Sequence, residues 1–123
     1  MATVLVAEDD RYTRLLITFF LQEYGHRVLQ AEDGEQAYDV VLNVPLDLAV
    51  LDVHMPKLNG HEVLARMKEG VKTQDVPIII LSAMQDSNTL NQAYSSGCNI
   101  FLEKPFNGYV FMEEVEKFIT SKR

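Results

Sequence analysis

Two hydrophobic spacings take turns along the chain. Thr3–Ala7 (T-V-L-V-A), Leu48–Leu51 and Val76–Leu81 are short apolar runs with no period-two alternation, which is how strands covered on both faces of a parallel sheet read. His26–Ala31 is less apolar and suits a sheet edge, and Asn99–Glu103 makes a short fifth strand. Between these runs the spacing turns helical. From Arg11 to Tyr24 the four-apart pairs Tyr12/Leu16, Leu15/Phe19 and Leu16/Phe20 share one apolar face, and Gly25 supplies the stop. Asp33-Gly34-Glu35-Gln36 opens a second helix to about Leu42 that buries Ala37, Tyr38 and Val41. Asn59-Gly60-His61-Glu62 repeats the capping pattern before a third helix, with Val63, Leu64 and Met67 on its apolar face and Gly70 at its end. A fourth helix is expected over Ser87–Ser96, although Q-D-S-N-T-L-N-Q is polar and of low helix propensity, as a movable element would be. The last helix carries the stripe Phe111, Val115, Phe118, Ile119. Its acids (Glu113, Glu114, Glu116) precede its bases (Lys117, Lys122, Arg123), the order that complements the helix dipole.

Five strands alternating with five helices predict a doubly wound α/β fold, a parallel sheet with helices on both faces, because right-handed crossovers are nearly obligatory. All strands then point the same way. Glu8, Asp9 and Asp10 after the first strand, Asp52 after the third, Ser82 after the fourth and Lys104 after the fifth converge on one rim, where such sheets place their ligand sites.

Composition narrows the range of functions. With 123 residues, 47% of them hydrophobic, the chain suits one domain over residues 1–123 that needs no metal or disulfide staple. A formal net charge of -7 argues against direct nucleic-acid binding and favours proteins or cations as partners. A single cysteine, Cys98, excludes an internal disulfide framework and reads as a small packed residue. No apolar run approaches a membrane span or a signal-peptide core, so a soluble, cytoplasmic protein is expected.

Clustered carboxylates at Glu8, Asp9 and Asp52 repel one another and call for a hard divalent cation with oxygen ligands. Mg2+ tolerates few protein carboxylates because it keeps several waters. Lys104 would add a compact positive charge beside Asp52, and Ser82 a hydroxyl donor. An aspartate so flanked is equipped to attack a phosphoryl group and to stabilise the charge on its oxygens, which makes it an acyl-phosphate acceptor.

The chain resembles, over its whole length, the receiver domain of two-component response regulators, and in size the single-domain, chemotaxis-regulator type. The resemblance rests on V-A-E-D-D at Val6–Asp10, L-D-V-H-M-P-K-L-N-G at Leu51–Gly60, L-S-A at Leu81–Ala83 and S-G-C-N-I-F-L-E-K-P-F at Ser96–Phe106, four fragments in order on the predicted strand ends. It implies a flavodoxin-like five-stranded sheet in the order 2-1-3-4-5 and a phosphorylation-activated switch. Asp52 would be the phosphoacceptor, and Glu8, Asp9, Asp52 and the His54 backbone carbonyl would hold Mg2+. Ser82 would be the switch hydroxyl, Phe101 the switch aromatic, and Lys104 the phosphate-contacting lysine. Pro105 would follow a cis peptide. His54 and Met84, two residues beyond the phosphoacceptor and the switch hydroxyl, would tune hydrolysis of the acyl phosphate. The resemblance further implies a histidine kinase or phosphotransfer protein as donor, and a downstream protein docking on the face of the fourth helix, fifth strand and fifth helix. The chain would then be no enzyme, catalysing only its own phosphoryl transfer and a slow autodephosphorylation.

Departures from the family pattern are specific. Glu8 stands where Asp is commoner, Phe101 lacks the phenol of the frequent Tyr, and Met84 has no group to orient an attacking water, which predicts slow loss of phosphate. Ordinary readings compete at several positions: Asp10 as the cap of the first helix, Ser82 as a turn cap, Phe101 as core, and His26 and His61 as solvated rings. Three rival functions remain. A haloacid-dehalogenase-type phosphatase would want a second Asp where His54 stands, and a flavin or nucleotide carrier would want a phosphate cradle where Glu8-Asp9-Asp10 stands. A receiver that only binds partners is disfavoured by Asp9, Asp52 and Lys104.

Overall fold

The computed structural model describes residues 1–83 and 97–120. In chain order these form β1 (Thr3–Ala7), α1 (Arg11–Glu23), β2 (Arg27–Ala31), α2 (Gly34–Asn43), β3 (Leu48–Asp52), α3 (Gly60–Glu69), β4 (Ile78–Ala83), β5 (Ile100–Lys104) and the C-terminal helix α4 (Gly108–Thr120). The helix expected over 87–96 lies outside the described residues, as do Met84, Lys122 and Arg123.

The strands make one parallel sheet in the order β2-β1-β3-β4-β5. Alternating side chains of the central strands split the core in two. Leu5, Ala7, Ala49, Leu51, Ile78 and Ile80 pack under α2 and α3, against Ala37, Val41, Val63, Leu64 and Met67. Val4, Val6, Leu48, Val50, Ile79 and Leu81 pack under α1 and α4, against Ile17, Leu21, Phe111, Met112, Val115 and Ile119. The apolar runs carry no alternation because each face of the sheet has its own helical layer. β2, the less apolar strand, stands at one edge and β5 at the other.

Helix boundaries follow local chemistry. The Asp10 carboxylate accepts from the Thr13 N–H at 2.9 Å, so Asp10 is a cap. Asp33 does the same for Gln36 at 2.8 Å, and Asn59 and Glu62 form a reciprocal capping box on α3. Tyr38 of α2 is half-buried rather than buried.

Two further expectations are corrected. The α1 face that carries Tyr12, Leu15, Leu16 and Phe19 is exposed; the helix turns Arg14, Ile17, Thr18 and Leu21 inward instead. Those four positions also have helical spacing, and of the two stripes it is the one with Ile17 and Leu21 that packs on the sheet against Val4, Val6 and Phe111. His26 and His61 are buried, not solvated. His26 Nδ1 accepts from the Ala2 N–H at 3.1 Å, and its Nε2 lies 2.8 Å from Glu116 Oε1, tying the start of the chain to α4.

Candidate phosphoacceptor site

Parallel pairing delivers the site. β1, β3 and β5 end at Ala7, Asp52 and Lys104, and register sets Asp52 opposite Leu81 and Lys104 opposite Ala83, so their carboxyl ends share one rim. Glu8 follows β1 directly and is fully buried; Asp52 is 3% exposed, whereas Asp9 is exposed. Oxygens of Glu8, Asp9 and Asp52 all lie within 4.8 Å of one another. Lys104 Nζ pairs with Glu8 Oε1 and stands 3.1 Å from Asp52 Oδ1.

Each wall of this cluster is fixed by backbone contacts. Gly60, the first residue of α3, lies against the Asp52 main chain: a Cβ there would come within 2.4 Å of the Asp52 carbonyl oxygen. The Gly60 N–H donates to the Val53 carbonyl at 3.1 Å, which seats α3 on the loop after β3. That loop also leans on α2, because the Gly34 N–H donates to the Pro56 carbonyl at 3.2 Å and a Cβ at Gly34 would overlap the Leu58 carbonyl. Lys57, with φ 72°, adopts the left-handed conformation and brings its ammonium 3.6 Å from Asp33 Oδ2. The Lys104–Pro105 peptide is cis, as expected.

Electrostatics oppose the burial of so many acids. Burial, a hydrogen bond to Asp52 and repulsion from it push the Glu8 carboxyl up to about 8, against the pull of Lys104. Burial works against the Lys104 ammonium, yet Glu8 and Asp52 outweigh it and hold its pKa above the ordinary lysine value. An all-oxygen cluster with two buried members and, among the described residues, one ammonium in contact has the chemistry to hold a hard divalent cation.

One contributor escaped the sequence. Arg14 of α1 is buried and donates from Nη1 to the Glu8 carbonyl at 2.8 Å, from Nε to Gln30 Oε1 at 3.1 Å, and from Nη2 to Glu32 Oε1 at 3.4 Å. It clamps the acidic turn from beneath. Its inward phase with Ile17 and Leu21 was the available signal. Of the other expected residues, Ser82 is fully buried at the end of β4. His54 is exposed in the loop after β3. Phe101 is half-buried and packs with the core under α2 and α3.

A family model described as the response regulator receiver domain matches residues 4–116. Response regulator RR06 of Streptococcus pneumoniae is 34% identical over 116 residues, covering 94% of this chain and 52% of that protein. The chain spans about half the length of the curated relatives it matches. The receiver domain of the Francisella response regulator 1452 superposes with a TM-score of 0.91 at 28% identity over 100% of both chains. The receiver domain of the sensor histidine kinase PA1611 from Pseudomonas aeruginosa, solved with a magnesium ion coordinated in its active-site cleft, gives 0.89 at 25% identity, covering 97% of this chain and 98% of that one.

Proposed function

The chain belongs to the response regulator receiver family of phosphorylation-activated switches, and from that premise we propose that Asp52 is its phosphoacceptor. The observation that carries this is the buried Asp52 carboxylate with Lys104 Nζ 3.1 Å from Oδ1 and Glu8 and Asp9 oxygens within 4.8 Å. An Asp52 oxygen attacks the phosphorus of a phosphohistidine on a histidine kinase or phosphotransfer protein. The O–P bond forms as the P–N bond breaks, and the leaving imidazole keeps the electron pair. Lys104 faces the incoming phosphoryl oxygens as a fixed charge, at the cost of loosening its contact with Glu8. Ser82 offers a hydroxyl at the adjacent strand end. Glu8, Asp9, Asp52 and the His54 carbonyl are the groups to hold Mg2+, which when bound neutralises and orients phosphoryl oxygens.

Residues 1–123 act as a single signalling domain that catalyses its own phosphorylation and slow dephosphorylation, the latter tuned by His54 and Met84. Attraction of Ser82 toward the new dianion frees space for Phe101 to turn, and the face around β5 and α4 presents a different surface to a downstream protein. The exposed apolar face of α1 begins beside the rim, with Tyr12 in its first turn, and supplies contact area for the phosphodonor. No described helix is long and apolar enough to cross a membrane. The test is phosphate incorporation from acetyl phosphate: it should require Mg2+ and vanish in Asp52→Asn, and comparable labelling of that variant would overturn the assignment.

A further inference from the structure

At the end of the sheet opposite the acidic rim, where the strands begin, a cavity of about 440 Å3 opens between the end of α2 and the loop after α3. That volume falls in the range of small-molecule sites. Its inner wall is apolar, with Val41 and Val76 buried, while Leu42 and Val71 stand at the cavity 63% and 86% exposed. Large apolar side chains held in water on both sides of a cavity are surface that a ligand would cover.

The charge at this cavity runs against that of the chain. Although the protein carries -7, the charged side chains lining the cavity are Arg66 and Lys72, and no carboxylate lines it among the described residues. Arg66 is exposed, and its guanidinium carbon lies 4.9 Å from the centre of the Tyr38 ring, a contact that stacks the cation against the wall without using its N–H donors. Thr73, by contrast, is committed, its hydroxyl donating to the Met67 carbonyl at 2.7 Å.

The geometry points to a binding site for a small, elongated organic acid, its apolar body against Val41 and Val76 and its carboxylate between Arg66 and Lys72. A guanidinium stacked on a ring with its N–H donors uncommitted suits a carboxylate better than a neutral polar group, because the hydrogen bonds formed are charge-assisted. The site is separate from the rim chemistry, so its fate does not depend on phosphorylation at Asp52.

Octanoate is a suitable probe, with octanol as its neutral counterpart, followed through the backbone amide spectrum of the 123-residue chain. The expected result is saturable shifts at Val41, Val71 and Thr73. Octanol, an Arg66→Gln/Lys72→Gln double variant and the exposed Leu42→Glu variant should each bind or be bound at least about tenfold more weakly. Amides outside the cavity should stay in place in both variants, showing an intact fold. Non-saturating shifts, shifts centred elsewhere, equal binding of octanol, or unchanged affinity in Leu42→Glu would each overturn the site.

Discussion

Glu8 is held at every polar atom: its N–H donates to the Ala31 carbonyl at 3.1 Å, its own carbonyl accepts from Arg14, Oε2 accepts from the Asp10 N–H at 3.2 Å, and Oε1 meets Lys104. Such a residue cannot swing away to relieve repulsion, so burial beside Asp52 is answered by a carboxyl raised to about 8. The sign of the consequence follows. An acid whose folded pKa is raised binds its proton more tightly when folded, so metal-free stability falls as pH rises from the ordinary value of 4.5 through about 8. If Glu8 is a ligand of Mg2+, as proposed, the ion has to displace that proton, so its apparent affinity should rise with pH up to about 8 and its binding should release protons. Calorimetry in buffers of different ionisation enthalpy measures this; pH-independent affinity would contradict it, and Glu8→Gln should abolish the proton release. Gly60 has a simpler demand. Because a Cβ there would press on the Asp52 carbonyl, Gly60→Ala should cost about 1–3 kcal/mol in chemical denaturation. It should also slow phosphorylation more than the loss of stability explains.

At the scale of elements, α1 separates what periodicity shows from what it hides. Ile17→Ala and Leu21→Ala should each cost about 2–5 kcal/mol, whereas Leu16→Ala and Phe19→Ala on the outer face should stay within about 0.5 kcal/mol, measured by urea unfolding. Leu16→Asp should slow transfer from a kinase while leaving labelling by acetyl phosphate unchanged; equal slowing of both would place the defect in the site itself. The pattern of strands was legible because parallel strands buried on both faces are apolar without interruption, and the caps were legible because Asp10, Asp33 and Asn59 are chemically suited to them. The inner face of α1 was not, since two of its four buried positions are polar: Arg14, whose partners Gln30 and Glu32 are distant in sequence, and Thr18, whose hydroxyl is buried without a hydrogen-bond partner among the described residues. Burial of His26 was hidden for the same reason: its partners, Ala2 and Glu116, lie 24 and 90 positions away. Of the candidate site, the carboxylates and Lys104 could be placed at one rim from strand ends alone, but the Arg14 clamp and the Gly60 contact belong to packing.

Taken whole, the molecule assembles its rim from four strand ends, with a helical layer packed on each face of the sheet. Cys98 reports on the integrity of that assembly near β5. Burial raises its thiol to about 11 from 9.0, so at mildly alkaline pH alkylation should be roughly a hundredfold slower than in the unfolded chain. Fast labelling of the native protein would show the β5 region opening. The central claim is that phosphate resides on Asp52, and the direct measurement is to locate it. After incubation with acetyl phosphate and Mg2+, borohydride reduction converts an aspartyl phosphate to homoserine, which peptide mass spectrometry assigns to a position. Homoserine at residue 52 is the predicted result; homoserine at Asp9 or Asp10 with Asp52 intact would contradict it.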